Sequence, residues 1–256
     1  MELLRVDSIS KNFGGVAAVA DFSMSQGAAE ISAIIGPNGA GKTTTFNLIS
    51  GVQTVDKGSL RFGQSDITRL PSHRIQALGV SRTFQNIRLF DGLSVVDNVK
   101  ISYTPQLGYS VLDELLSTPR VRRKERLIEE RAMEQLAFLG LAEHAKKKPK
   151  SLSYGLRRRL ELARALMPEP RLLLLDEPAA GLNAAEIREL MSTIEHIHRE
   201  KNLSVIVVEH HMELVMNICT RIHVMDFGRK IAEGTPQEIT RNEKVLQAYL
   251  GDMGDV

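Results

Sequence analysis

The chain has 256 residues, of which 43% are hydrophobic and 25% charged, an ordinary composition for a globular protein that buries one large core or two modest ones. Its 33 basic and 31 acidic residues leave a net charge of +2, which argues against a dedicated nucleic-acid-binding protein, because such proteins usually carry a basic excess. The single cysteine, Cys219, excludes an intrachain disulfide and a cysteine-rich metal site.

Strand signals and a glycine loop dominate the first third of the chain. Short strands are expected at 3–10 and 60–63, with glycine-rich turns between the elements. A β-branched apolar run at 30–36 predicts a strand that ends at a glycine loop, and the helix after that loop is expected at 43–51.

The rest of the chain alternates between helix and strand signals. A strand is expected at 79–85, and residues 94–170 are expected to be mostly helical. The apolar runs 171–177 and 203–210 are typical of parallel strands covered on both faces, and 221–234 predicts a late hairpin.

Taken together, these signals predict one α/β domain over residues 1–256, with a helical insert at about 88–165. The N-terminus has no signal-like apolar region, and no apolar run is long enough to suggest a membrane span. We therefore expect a soluble, cytoplasmic chain that would need a partner to act at a membrane.

The most specific signal is the segment GPNGAGKT at 36–43, which matches the phosphate-loop pattern between a predicted strand and a predicted helix. Its glycines allow backbone N–H groups to wrap a phosphate, and the following helix adds the positive end of its dipole. Lys42 supplies charge to the β- and γ-phosphates, and Thr43 supplies a hydroxyl for Mg²⁺. The candidate nucleotide-binding residues here are Gly36, Pro37, Asn38, Gly39, Ala40, Gly41, Lys42, Thr43 and Thr44.

Two carboxylates follow the buried run RLLLL. Ligands in open α/β sheets bind beyond the carboxyl ends of such strands. Asp176 is therefore a candidate to hold Mg²⁺, and Glu177 is a candidate general base for the attacking water.

A serine–glycine turn precedes the helix signal LRRRLELARALM. Ser153 is a good N-cap, and together with Gly155 it opens a helix N-terminus, which attracts anions. Successive helical residues turn by about 100°, so the arginines at 157–159 fan around the axis and are expected to be surface charges or intramolecular pairing groups. This weakens a nucleic-acid-binding interpretation of the run. The inward stripe is expected to consist of Leu156, Leu160, Ala163 and Met167.

The segments GPNGAGKT, LSYGL and LLLLDEP, in this order, resemble the nucleotide-binding subunit of ATP-binding cassette (ABC) transporters, and the similarity covers essentially the whole chain. The resemblance implies a P-loop NTPase core with an N-terminal antiparallel β subdomain and an inserted α-helical subdomain. It also implies that two subunits pair head to tail around ATP and Mg²⁺. Ser153 and Gly155 would then serve the partner's ATP, whereas Asp176 and Glu177 would serve the chain's own.

The same resemblance implies roles for further residues. Phe13 resembles the aromatic residue that stacks on adenine, and Gln85 resembles the glutamine that senses Mg²⁺ and water. His210 resembles the histidine that touches the γ-phosphate. The next residue, His211, is the alternative for that position. The implied catalytic residues are Glu177, His210 and Gln85, and the implied metal-binding residues are Thr43, Gln85 and Asp176.

Two positions depart from the family pattern. Leu156 stands where the family has a polar residue, which puts a contact from that side chain in doubt. Asn183 stands where many relatives have Asp, a change that could alter communication between the two sites.

The segments GVSRTFQNIRLF, DEPAAGLN and QAYLG closely resemble the ATPase subunits of branched-chain amino acid importers. The resemblance implies a second ATPase subunit, in a homodimer or a heterodimer, together with integral membrane permease subunits and a periplasmic or extracellular substrate-binding protein as partners, with no nucleic acid. It places the chain at the cytoplasmic face of the inner membrane. The transported compound stays open, because importers of other amino acids, amides and aromatic acids share these patterns.

Two other functional classes stay open at the level of sequence. A soluble assembly ATPase of the same fold, such as one that serves iron–sulfur scaffold proteins, would bind no membrane subunit. A small-molecule P-loop kinase would need an acceptor site and would not need the serine–glycine turn at Ser153 and Gly155.

Overall fold

The computed structural model describes residues 2–106 and 119–251, and the part of the expected helical stretch at 107–118 lies outside the described residues. The chain folds as two compact units. The first, Met1–Gln85 with Arg171–Val256, is called here the core unit, and the second, Asn86–Pro170, the inserted unit. The insert expected at about 88–165 falls inside the second.

Helices and strands are interspersed along the chain, as expected of an α/β protein, with a run of helices between the strand that ends at Arg82 and the strand that begins at Leu172. The strands are β1 Glu2–Phe13, β2 Val16–Gly27, β3 Ile31–Ile35, β4 Lys57–Phe62, β5 Ser65–Asp66, β6 Val80–Arg82, β7 Leu172–Asp176, β8 Ser204–Val208, β9 Arg221–Asp226 and β10 Arg229–Gly234. The α-helices are α1 Lys42–Ile49, α2 Ser72–Ala77, α3 Val95–Lys100, α4 Pro119–Phe138, α5 Tyr154–Leu166, α6 Ala184–Lys201, α7 Met212–Ile218, α8 Pro236–Thr240 and α9 Glu243–Gly251. None of these helices, within the part of the chain described, is long and apolar enough to cross a membrane.

An antiparallel sheet of order β2-β1-β4-β5 forms one layer of the core unit. Strand β1 is longer than the short strand expected at 3–10, and β2 was not expected at all. The reason is that β1 pairs with β2 through several register shifts, so the polar and apolar residues of this hairpin do not alternate strictly along the sequence.

A second sheet, of order β10-β9-β3-β8-β7-β6, is parallel except for the β9–β10 hairpin. All residues of β3, β7 and β8 are buried, as their continuous apolar runs predict. Because these three parallel strands are neighbours, their carboxyl ends meet at one edge of the sheet, where α/β proteins bind ligands.

The two sheets of the core unit share one hydrophobic core. Phe22 and Leu60 of the antiparallel sheet belong to the same buried cluster as Ile34, Leu174 and Ile206 of the parallel one. The phosphate-loop helix also contributes to this cluster, so the loop before it is anchored on both sheets. Cys219 is buried as well, and burial raises the pKa of its thiol to about 12, which keeps it protonated.

The inserted unit is helical in its described part. In α5, Leu160, Ala163 and Met167 of the expected inward stripe are buried, whereas Leu156 is only half-buried. Leu156 lies in the first turn of α5, whose N-cap is Ser153 as expected, and there it is partly open to solvent.

Of the arginines at 157–159, Arg158 is an intramolecular pairing group, as expected, but it is buried and does not lie at the surface. Arg158 is 2% exposed and its Nη1 donates to the Glu161 carboxylate at 2.7 Å. Arg157 instead turns back and donates to the backbone carbonyls of Leu152 and Lys150. A buried arginine is tolerated here because a carboxylate one turn away on the same helix pairs with it.

Two residues of strand β2 test how much the buried cluster contributes to the free energy of unfolding. Phe22→Ala, at a fully buried site, should lower the free energy of unfolding by about 3–5 kcal/mol, because it leaves a cavity in the shared core. Val16→Ala on the same strand, where the side chain is 70% exposed, should change it by less than about 0.5 kcal/mol. Urea unfolding of the full chain measures both, and similar losses for the two variants would contradict the proposed core.

Candidate active site

The phosphate-loop segment runs from the end of β3 to the start of α1 and is packed too closely for side chains at two of its glycines. A Cβ atom at Gly36, whose φ is 150°, would lie 2.0 Å from the carbonyl oxygen of Met225. At Gly41, where φ is 98°, it would lie 2.3 Å from the carbonyl oxygen of Ala18. These contacts explain why the sequence has glycine at both positions.

The N-terminus of α1 offers backbone N–H donors that have no partner among the described residues. Its N-cap is Gly41, so no side chain caps the helix, and the N–H of Thr45 is the donor to the Gly41 carbonyl, at 2.9 Å. The preceding N–H groups have no partner within the helix, as at any helix start. Thr43 is exposed and Thr44 half-buried at this end, whereas Thr45 turns inward and bonds the Gly41 carbonyl. This is an arrangement suited to an anion.

The Lys42 ammonium is held inside the loop. Its Nζ donates to the carbonyl oxygens of Gly36 at 2.7 Å and Pro37 at 2.8 Å, and the residue is 7% exposed. Burial lowers the pKa of Lys42, and the negative charges of Glu177 and Asp176 oppose that shift. A partly desolvated cation next to free N–H groups is stabilised by a bound phosphate.

Asp176 ends β7 and is 2% exposed. Its Oδ2 accepts a hydrogen bond from Arg82 Nη2 at 2.8 Å, whereas its Oδ1 is buried and has no hydrogen-bond partner in the described chain. A buried carboxylate oxygen without a donor is costly, and a cation or its bound water would satisfy it. The site therefore fits Mg²⁺, for which carboxylate oxygen is a preferred ligand.

Glu177 and Gln85, from two different segments, are brought together. Gln85 Nε2 donates to Glu177 Oε2 at 2.7 Å. Glu177 adopts the left-handed conformation, with φ of 45°, and its N–H donates to the Val208 carbonyl at 2.9 Å. Such a conformation is strained for a residue other than glycine, and strain of this kind is concentrated at functional sites.

Glu209, which the sequence did not single out, organises the end of β8. It is fully buried, and its Oε1 accepts the Ala179 N–H at 2.7 Å. Its Oε2 accepts the N–H groups of His210 and His211 and faces His211 Nδ1 at 3.1 Å. The ring of His211 is thus tied down, whereas the His210 side chain is 53% exposed. A glutamate at the end of a buried strand was the only sequence signal for this role.

Two aromatic residues outside the phosphate loop bear on the site. Phe13, at the end of β1, is 45% exposed, so it is not the core residue that its strand position could also have indicated. Tyr249 comes from the terminal helix α9, and burial raises the pKa of its hydroxyl to about 12, with the Gly36 backbone opposing the rise. No sequence pattern predicts that this helix lies near the phosphate loop.

The serine–glycine turn at Ser153 and Gly155 lies in the inserted unit. Ser153 is exposed, and its hydroxyl accepts the Leu156 N–H at 3.4 Å as N-cap of α5, with Gly155 in the first turn. Leu156 thus contributes its backbone to the cap.

The other departure from the family pattern, Asn183, caps α6 by accepting the N–H groups of Ala185 and Glu186. Asn and Asp fill this role equally well.

Comparisons with known proteins identify relatives of this chain over nearly its whole length. The ABC transporter family profile matches residues 19–180, and a profile described as "branched-chain amino acid ATP-binding cassette transporter" matches residues 229–255. The chain is 41% identical over 250 residues to the high-affinity branched-chain amino acid transport ATP-binding protein LivG of Salmonella typhimurium, with 98% of each chain covered. It is 35% identical over 253 residues to the lipopolysaccharide export system ATP-binding protein LptB of Escherichia coli, again with 98% of each covered.

Among solved structures, the chain is similar to the crystal structure of the ADP conformation of an ATP-binding cassette of an ABC transporter. The TM-score is 0.85 at 30% identity, with 98% of this chain and 99% of that chain covered. Sequence motifs, fold and relatives thus agree over nearly the whole length. The chain belongs to the ABC transporter family, as a nucleotide-binding subunit that hydrolyses ATP.

Proposed function

We propose that the chain powers an importer for branched-chain amino acids or closely related compounds. The observation that carries this assignment is the C-terminal profile match at 229–255, together with 41% identity to LivG against 35% to the lipopolysaccharide exporter subunit. The nucleotide site alone does not distinguish these cargoes, because it never touches them. The assignment therefore rests on the segments outside the phosphate site.

The proposed assembly contains a second ATPase subunit, integral membrane permease subunits and, through them, a periplasmic or extracellular substrate-binding protein. The chain would sit at the cytoplasmic face of the inner membrane as a peripheral subunit. The permease subunits would supply the permeation path, and no helix in the described residues is suited to cross a membrane. The exposed Ser153 turn belongs to the inserted unit and the phosphate loop to the core unit, a division that suits a site shared between two copies.

ATP binding follows from the residues around the loop. The loop N–H groups and Lys42 would hold the phosphates, and the exposed ring of Phe13 would stack on adenine. Asp176 Oδ1, Thr43 and Gln85 would hold Mg²⁺, which neutralises developing phosphate charge when bound. On the partner subunit, the helix N-terminus at Ser153 and Gly155 would meet the γ-phosphate after closure.

Hydrolysis would use the carboxylate of Glu177 as general base for the attacking water. The hydrogen bond from Gln85 and the fixed backbone conformation hold that carboxylate in one place before ATP arrives. His210 is the better candidate than His211 for the γ-phosphate, because Glu209 already holds the His211 ring. Closure of the two ATPase subunits around ATP, followed by hydrolysis, would drive the conformational change of the membrane subunits.

The alternatives predict different partners or products. An assembly ATPase for iron–sulfur scaffolds would co-purify with soluble proteins, and a P-loop kinase would release no phosphate without an acceptor. The relatives reported above are named for transport, and the family profile is that of ABC transporters, which favours the importer. Recovery of the chain with membrane subunits, together with acceptor-free phosphate release, would separate all three.

Glu177→Gln should retain ATP binding and lower the hydrolysis rate by roughly 10²–10⁴-fold, because it removes the general base. The matched control is Glu195→Gln, an exposed carboxylate on α6, which should hydrolyse ATP like the parent. Steady-state phosphate release and equilibrium ATP binding provide the two measurements. Near-parent turnover by the Glu177 variant would refute its role.

Ser153→Arg and Gly155→Asp should spare ATP affinity of the isolated monomer and abolish ATP-driven pairing in the Glu177→Gln background. A bulky or negative side chain at this helix N-terminus would block or repel the partner's γ-phosphate. Ser151→Arg, two residues earlier and also exposed, is the control that should still pair. Sizing with ATP and calorimetry at low protein concentration measure the two properties.

Two results would contradict a site that is shared between two subunits. If the Ser153 variant loses monomer affinity as severely as Lys42→Ala, a change that removes the charge holding the chain's own phosphates, the turn belongs to its own subunit's site. If pairing survives intact, the turn is not the closing contact.

Deleting the gene should reduce uptake of radiolabelled leucine, isoleucine or valine by whole cells, and the parent chain should restore it where Glu177→Gln does not. This follows because uptake against a gradient needs the hydrolysis that the variant lacks. Unchanged uptake of all three, with loss of uptake of another solute, would keep the importer and overturn the cargo assignment. No change for any solute, and no membrane partner, would overturn both.

A further inference from the structure

Arg82 is a buried cation at the centre of the candidate site, and the reaction as described above does not use it. It ends β6, three residues before Gln85, and its side chain is 7% exposed. Its Nη2 donates to Asp176 Oδ2 at 2.8 Å. Its Nη1 donates to Asn47 Oδ1 at 2.8 Å and to Ser50 Oγ at 2.9 Å, both at the end of the phosphate-loop helix α1. One guanidinium thus links β7 to α1.

Two aromatic rings fix the orientation of this guanidinium. The Arg82 Cζ lies 5.2 Å from the centroid of the Phe84 ring and 5.7 Å from that of Phe46. Phe46 is fully buried, so at least one of the two rings cannot move aside without disturbing the core. With three hydrogen bonds and two rings around it, the side chain has little rotational freedom left.

The hydrogen-bond pattern differs from that of an ordinary buried ion pair. An arginine fork commonly takes both oxygens of a carboxylate, which satisfies the buried group fully. Here the second arm of the fork goes to Asn47 and Ser50, and Asp176 Oδ1 is left buried without a donor in the described chain. For stability alone this arrangement is unfavourable, because an unsatisfied buried oxygen costs free energy.

We propose that Arg82 is a positioning residue for the metal site. By holding Oδ2 and diverting its other arm to α1, it fixes the Asp176 carboxylate so that only Oδ1 is presented to Mg²⁺. It also sets the distance between β7 and α1, which carry the proposed ligands Asp176 and Thr43. The inference rests on the proposed function, in which Asp176 helps to hold Mg²⁺.

The test measures metal binding without turnover. Mn²⁺ is titrated into the full chain with saturating ATP in the Glu177→Gln background, and bound Mn²⁺ is followed by electron paramagnetic resonance. Arg82→Lys keeps the charge but cannot serve three partners in a plane, so Mn²⁺ affinity should fall by roughly 10–100-fold, the usual effect of removing a residue that orients a metal ligand. ATP affinity in EDTA should stay at the parent value.

Arg158→Lys is the matched control, because it changes the other buried arginine–carboxylate pair, in the inserted unit. It should lower the unfolding temperature and leave Mn²⁺ affinity unchanged. If Arg82→Lys does not fold, Asn47→Ala decides the question: it removes one anchor of the guanidinium and should shift Mn²⁺ affinity in the same direction by a smaller factor.

Two results would overturn the inference. One is a folded Arg82→Lys chain, or Asn47→Ala chain, with parent Mn²⁺ affinity. The other is a loss of ATP affinity in EDTA as large as the loss of Mn²⁺ affinity. That result would mean that Arg82 supports the phosphate-loop helix α1 and does not orient Asp176 for the metal.

Asp176→Asn, titrated in the same way, separates this failure from failure of the proposed site. If Asp176→Asn binds Mn²⁺ as well as the parent, the metal site itself is wrongly placed. If Asp176→Asn loses Mn²⁺ and Arg82→Lys keeps it, only the role of Arg82 is wrong.

Discussion

The constraint on which this structure depends is electrostatic. Asp176, Glu177 and Glu209 bring three carboxylates to one edge of the parallel sheet, where the family binds a nucleotide that is itself negatively charged. Carboxylates that share one edge of a sheet with a bound nucleotide are tolerated only where cations and N–H donors are fixed among them. Lys42 and Arg82, which are anchored by hydrogen bonds within the core unit, meet that requirement together with the N-terminal backbone N–H donors of α1.

The rigid parts of the fold follow from this requirement. The phosphate loop lies so close to Met225 and Ala18 that two of its glycines admit no side chain, and this close packing fixes the loop N–H groups. Glu177 is held in a left-handed conformation between β7 and the Val208 carbonyl. Preorganisation of this kind lets the site stabilise charge in the transition state without reorganising first.

Much of this could be predicted from sequence, because local patterns encode it. The phosphate loop has a fixed glycine spacing, β7 and β8 are continuous apolar runs, and Ser153 caps α5 as its residue type suggests. Strand β2 and the burial of Arg158 escaped prediction, because both depend on tertiary partners: a bulged hairpin register in one case and Glu161 in the other. The roles of Arg82 and Glu209 depend likewise on contacts between distant segments, which no single-sequence periodicity reports.

The central claim is that each ATP is held by two copies of this fold, with its metal beside Asp176. The most direct measurement is a high-resolution structure of the Glu177→Gln chain with ATP and Mg²⁺. The account predicts a head-to-tail pair in which the phosphate loop of one subunit holds an ATP whose γ-phosphate meets the Ser153 turn of the other. It also predicts Asp176 Oδ1 facing the metal while Oδ2 stays on Arg82. An ATP contacted by Ser153 of its own chain, or a pair whose Ser153 turns touch no phosphate, would contradict it.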